Sequence, residues 1–199
     1  MAAHSIRSGD VPDGSNKEVA HNSEIHSRNI DVQIVELTQT TPESVLQSAR
    51  ELLFEYGRFV LAQPGAGRFC FGTLEKEAEG LPASFIDQGG GSLLAFAKDE
   101  PAGFVAWRIP KANAVILPDS WELKRLWVRP SHRGLRLGKI LTQSVLDRAL
   151  AAGRKSVYLD TAPESMAHAH RLYLEMGFHP CNPYNDNPVE GLAWMVKSF

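Results

Sequence analysis

Between Lys124 and Lys139 the chain carries six basic residues, Lys124, Arg125, Arg129, Arg133, Arg136 and Lys139, and no acid, although the formal net charge of all 199 residues is -2. The positive charge is therefore concentrated in one stretch. Gly134 and Gly138 lie inside it, and a residue without a side chain lets backbone come close to a ligand. Directly afterwards Leu137, Leu141, Val145 and Ala149 recur every four residues, joined by Ile140, Leu146 and Leu150, and Gly153 stands where a helix would end. The first N–H groups of such a helix have no internal partner and sit at the positive end of its dipole. Phosphate oxygens suit that arrangement. A solvated basic turn accounts equally well for the charge taken alone.

The elements that position this loop can be read on either side of it. Trp121 to Val128 forms a short apolar run that stops at Pro130, as a strand does at a residue lacking an N–H. The order is strand, basic glycine loop, helix. The GxxxxGK[ST] spacing of a P-loop does not occur, and neither does G-x-G-x-x-G in a strand–loop–helix unit.

That order, with the loop R-G-L-R-L-G, resembles the GNAT superfamily of acyl-CoA-dependent N-acetyltransferases. Arg133, Arg136 and Gly138 occupy the defined places of its [Q/R]-x-x-G-x-[G/A] signature, with Arg136 in place of the middle glycine. The stretches E-L-K-R-L-W-V, R-G-L-R-L-G-K, L-D-T and A-H-R-L-Y-L-E-M-G-F stand in family order, and the likeness extends over about 31–199. Near the end, the segment from Pro183 to Gly191 resembles the P-Y-x-x-N-P-x-E-G segment of one GNAT subgroup.

The resemblance implies an acetyl-CoA-dependent N-acetyltransferase that acetylates a primary amine of a small molecule or amino acid by direct attack. Leu126, Trp127 and Val128 would meet the co-substrate along the strand, with Arg133, Gly134, Leu135, Arg136, Leu137, Gly138 and Lys139 around its pyrophosphate. Glu122 would be the base, its pKa raised by burial, and Tyr173 the acid that faces the leaving sulfur. Each has a plainer account: Glu122 as a carboxylate paired with Lys124, Tyr173 as a packed core aromatic. The acceptor would be met by helices within residues 68–85 and by the C-terminal segment, with Tyr184 as a wall and Asp186 or Glu190 as a carboxylate for a cationic amine. That segment could also be only a turn. Met166 stands where many members have an asparagine. The competing function is a catalytically weak GNAT-fold module that binds acyl-CoA for regulation or assembly, which the departures at Arg136 and Met166 would suit.

Composition, 43% hydrophobic and 22% charged, suits one α/β (α+β) domain over residues 30–199. Residues 1–29 are rich in serine and poor in large apolar side chains, and are expected to be a disordered tail. The pattern predicts β α (α) β β β α β α β β, a mixed, mostly antiparallel sheet of six to seven strands flanked by helices. Thr40 with Glu43, and Thr161 with Glu164, have capping-box spacing and are expected to open helices, the second running to Met176 and closed by Gly177. The run from Ser92 to Lys98 should turn at Asp99-Glu100-Pro101 into a second strand. Cys70 and Cys181 read as free thiols, His168 and His170 point to different helix faces, and no metal site is expected. There is no GxSxG for hydrolase chemistry. No apolar run approaches the roughly 20 residues of a membrane span, and the acidic balance argues against nucleic acid. A cytoplasmic protein is expected, with a homodimer left open.

Overall fold

The computed structural model of the chain describes residues 31–63, 71–187 and 189–199. The expected tail over residues 1–29, Cys70 and the first residues of the expected acceptor region lie outside that range. Seven strands form one sheet among the described residues, in the order β1-β2-β3-β4-β5-β7-β6. In chain order the elements are β1 (Val32–Glu36), α1 (Glu43–Leu61), α2 (Phe71–Glu79), α3 (Ala83–Ile86), β2 (Gly91–Ala97), β3 (Glu100–Arg108), β4 (Ser120–Val128), α4 (Leu137–Ala151), β5 (Ser156–Thr161), α5 (Ala167–Glu175), β6 (His179–Pro180) and β7 (Ala193–Ser198). This is the expected order with one short helix, α3, added before β2. All pairings are antiparallel except β4 with β5, which are joined by the α4 crossover.

The two faces of the sheet bury different helices. Leu137, Leu141, Val145 and Ala149 of α4 pack with Leu93, Val105 and Leu159 on one face. On the other, Leu46, Ala49, Leu52 and Leu53 of α1 pack with Leu94, Phe104 and Trp127. The central strands are covered on both sides, which is why β2 reads as a nearly continuous apolar run. Gly153 and Gly177 follow α4 and α5 at φ 69° and 84°, a backbone region glycine enters without steric cost. Lys98 and Asp99 turn the β2–β3 hairpin with φ 51° and 64°, the twist that suits a two-residue connection.

Both capping expectations fail. Helix α1 begins at Glu43 with Pro42 at its cap and no side-chain cap bond. The threonine hydroxyls are engaged in the preceding turn, where Thr41 Oγ1 accepts the Thr38 N–H at 2.8 Å and the Thr38 and Thr40 hydroxyls meet at 3.1 Å. At the second site Thr161 is still strand, paired with Ala193 of β7. With its backbone in the ladder and Pro163 disfavouring helix at Ala162, α5 starts only at Ala167.

The feature that shapes the site lies inside β4. Its ladder with β3 pairs Phe104 with Trp127 and Ala106 with Lys124, so Arg125 and Leu126 together oppose Val105. Arg125 takes φ 59° in this bulge. Its guanidinium donates to both oxygens of Glu77 on α2, at 2.7 and 3.1 Å, and lies over the Tyr56 ring of α1. The bulge is thus held by an ion pair taken largely out of water. Breaking such a pair leaves an uncompensated charge, whereas replacing both partners with apolar groups is far less costly. Glu77→Leu should lower unfolding free energy by about 3 kcal/mol or more, and the Glu77→Leu/Arg125→Met double substitution by clearly less. Chemical denaturation of the three proteins checks this; a double variant at least as damaged as the single would contradict it.

Candidate functional site

Because the bulge bends β4 away, β4 and β5 pair only from Ser120–Glu122 to Ser156–Tyr158. Beyond that point β5 stays paired with β7 as far as Thr161, and a gap opens between the two parallel strands. A cleft of about 250 Å³ occupies it, bounded by Lys124, Arg125 and Leu126 of β4, Asp160 and Thr161 of β5, Met166 and Tyr173 about α5, Tyr56 of α1, and Asn187 and Glu190 of the C-terminal segment. Separated parallel strands of this kind expose backbone groups that have no ladder partner, and these are available to bond water or a ligand that enters the gap.

Glu122 lies behind the cleft wall, 1% exposed, and is enclosed by donors. Arg108 Nε reaches its Oε2 at 2.8 Å, while Lys124 Nζ, the Tyr184 hydroxyl and Asn185 Nδ2 reach its Oε1 at 3.3, 3.2 and 3.4 Å. Burial alone would raise its pKa, but Lys124 and Arg108 outweigh burial and hold the carboxyl below its ordinary value. The expectation of a raised pKa is therefore corrected. Glu122 is ionised throughout the neutral range and paired, as its neighbour Lys124 suggested.

Sequence reasoning missed Asp160, the D of the L-D-T stretch. It lines the cleft, with Lys124 Nζ 3.6 Å from Oδ1, and its Oδ2 accepts from Asn185 at 2.8 Å and Asn187 at 3.2 Å. Its pKa too is lowered: burial opposes, and Lys124 with the two amides prevails. The signal available beforehand was its place at the end of the parallel strand that follows the crossover, where ligands collect in open sheets. Lys124 had been counted with the anion loop but bridges the two buried carboxylates.

Of the other expected acceptor residues, Glu190 lines the cleft, Asp186 is exposed, and Tyr184 does not form the wall expected of it. Its ring packs edge-on against Tyr158 at 5.3 Å. Tyr173 lines the cleft at 4% exposure, against Phe178 at 5.6 Å. Burial pushes its hydroxyl well above the usual tyrosine range, so it keeps its proton and can donate one.

The basic loop divides in two. Arg129 bonds Glu55 at 2.9 Å and the Pro101 carbonyl, which leaves Arg133, Arg136 and Lys139 exposed around the start of α4. Arg133 lies 5.7 Å over the Trp127 ring, whose aromatic neighbours include Phe59 and Tyr56. Arg136, in the place of the middle glycine, adopts φ 59° and ψ 16°, so the left-handed turn is kept at a steric cost. No side chain caps α4, so the amides of its first turn, Leu137 to Lys139, are left for an outside acceptor. A Cβ at Gly134 would meet nothing within 4 Å, and one at Gly138 only Leu172, at 3.3 Å. The residues fit an anion lying against the loop.

Because both folded carboxyls sit below their ordinary values of 4.5 and 3.8, Glu122 and Asp160 bind protons less readily folded than unfolded. They stabilise the fold fully above about pH 4.5, and this is lost as pH falls through the depressed values. The melting temperature should therefore drop between pH 5 and 3, at roughly those bounds, and Glu122→Gln should make that drop shallower. An equally steep drop in the variant would contradict the assignment.

Comparison with known proteins agrees with this geometry. The family model described as the Acetyltransferase (GNAT) family matches residues 46–178. An uncharacterized N-acetyltransferase of Schizosaccharomyces pombe is 38% identical over 78 residues, 39% of this chain and 47% of that protein. The match thus spans about half the length of that relative. The fold is shared with a GNAT-family acetyltransferase from Staphylococcus aureus Mu50, at TM-score 0.65 and 17% identity over 84% of this chain and 99% of that one. It is shared as well with a Salmonella typhimurium protein solved with its cofactor acetyl-CoA, at TM-score 0.60 and 15% identity over 84% and 93% of the two chains. With the family model covering well over half of its residues, and the same fold in those structures, the chain belongs to the GNAT acetyltransferase family.

Proposed function

We propose that the protein transfers the acetyl group of acetyl-CoA to a primary amine of a small molecule or amino acid, and that the acceptor is cationic. The observation that carries this reading is the gap between β4 and β5, which is lined by the carboxylates Asp160, Glu164 and Glu190, together with the uncapped basic helix start that follows β4. Acetyl-CoA would supply the activated acyl group. Arg133, Arg136, Lys139 and the amides of Leu137, Gly138 and Lys139 would hold its phosphates, and the backbone of Leu126 to Val128 its pantetheine arm. Tyr173 keeps its proton and lines the gap, which suits a donor to a departing thiolate.

The acceptor side is read from charge. Glu164 and Glu190 line the cleft beside Asp160, which shares Lys124 with Glu122, while Arg125 is engaged with Glu77. Glu122 is enclosed and fully ionised, which favours a structural or water-mediated role over direct proton abstraction. The P-Y-x-x-N-P-x-E-G likeness extends the same reading, because the segment supplies Asn187 and Glu190 to the cleft. The binding-module alternative drew on Arg136 in place of glycine; with Arg136 in the left-handed turn, that ground is weaker.

Thiol release from acetyl-CoA, measured across diamines, polyamines, amino acids and peptide N-termini, tests the activity. Amines with a second cationic group should turn over best, and release that no amine accelerates would overturn the proposal. Tyr173→Phe should keep acetyl-CoA affinity and slow turnover about 10²–10⁴-fold. Gly138→Glu, which sets a carboxylate against the phosphate site, should abolish acetyl-CoA binding by calorimetry. Glu190→Gln should raise the acceptor KM and leave acetyl-CoA binding unchanged.

A further inference from the structure

Among its described residues, the segment between β6 and β7 has no ladder bonds of its own from 181 until Ala193, apart from the Cys181 N–H to the Trp194 carbonyl. Polar side chains hold it. Asn185 donates through Nδ2 to Asp160 at 2.8 Å and to Glu122 at 3.4 Å, and its Oδ1 accepts from the Trp194 indole at 3.0 Å and from the Asn187 N–H at 3.3 Å. Asn187 repeats the pattern one step on, donating to Asp160 at 3.2 Å and accepting the Val189 N–H at 3.2 Å. Behind them the Tyr184 hydroxyl donates to Glu122, and the Tyr184 carbonyl accepts from Asn113 of the β3–β4 loop.

From this we infer that Asn185 is a positioning residue: it locks the C-terminal segment onto the paired carboxylates Glu122 and Asp160, and so fixes the acceptor wall carried by Asn187, Val189 and Glu190. The second half rests on the proposed acceptor site; the first does not. Only a carboxamide serves at this position. The carboxylates require a donor, while the Trp194 indole and the Asn187 amide require an acceptor, and an amide offers both on one planar group. An aspartate there would accept from Trp194 and Asn187 equally well, but would set a third negative charge against two carboxylates that share Lys124 and Arg108. The lock also gives Glu122 a use independent of proton transfer. Its oxygens are occupied in fixing the segment and the strand end.

The test uses Asn185→Asp, nearly identical in shape, and Trp194→Phe, which removes one donor and keeps an aromatic ring. Hydrogen exchange of the amides over 184–192 reports the lock without any need for activity. Acceptor and acetyl-CoA KM values report the wall. Since a buried bond to a charged group is worth a factor of roughly ten or more, Asn185→Asp should speed exchange across 184–192 about tenfold and raise the acceptor KM by a similar factor. Under the same reasoning the acetyl-CoA KM should stay within about twofold. Trp194→Phe should move both readouts in the same direction by less. Wild-type exchange in both variants would overturn the lock. Faster exchange with an unmoved acceptor KM would overturn the acceptor wall and leave the lock standing. If the wild-type protein acetylates no amine at all, the activity proposal fails while exchange alone still decides the lock.

Discussion

The structure depends on where β4 stops pairing with β5. A single extra residue in β4, with Arg125 in the left-handed region and its guanidinium pinned by Glu77, turns the strand after Lys124. The last shared rung is Glu122 with Tyr158. The bulge bends β4 just past the point where the parallel ladder ends, and the cleft lies there. In it, backbone groups of β4 and β5 face open space while the core on both sides stays closed. An enzyme of this size gains a site at the centre of its sheet for the cost of one strained residue and one desolvated ion pair.

Opening a sheet leaves its polar floor to be stabilised by other means. Two carboxylates, Glu122 at the last rung and Asp160 beyond it, would repel each other if left alone; Lys124 lies between them, and Arg108 bonds Glu122 from the far side. The remaining lone pairs are met by Tyr184, Asn185 and Asn187 of the C-terminal segment. One set of charges thus closes the sheet and fastens the loop. A network this well satisfied rigidifies its surroundings, which suits the wall of a binding cleft.

Much of this was legible in the sequence. Strand, loop and helix around residues 121–153 followed from the switch in apolar period and from Gly153, and the order of elements was read correctly. What could not be read was which partners each charge would choose. Lys124, Arg125 and Arg129 belong by spacing to the basic loop, yet each turns to a carboxylate distant in sequence, Asp160, Glu77 and Glu55 among them. The resemblance made Glu122 the base, with burial expected to raise its carboxyl pKa; Lys124, two residues on, and Arg108, fourteen residues away, reverse that rise. The capping threonines failed for a local reason, since their hydroxyls and backbone were claimed first by a turn and by a strand. Tyr184 and Asn187 were visible as parts of a motif, but their docking on β4 and β5 needs the sheet order.

The central claim is that the gap between β4 and β5, with the uncapped start of α4, is where acetyl-CoA lies. Hydrogen exchange of the full chain with and without acetyl-CoA tests it most directly, because the first-turn amides of α4 have no helix partner and the β4 amides on the β5 side have no ladder partner beyond Glu122. The account predicts strong protection of the amides at 137–139 and of those within 124–128 that face the gap and not β3, and little change in α1 or at the outer strands. Binding that protects another surface and leaves those amides exchanging as in the free protein would contradict it.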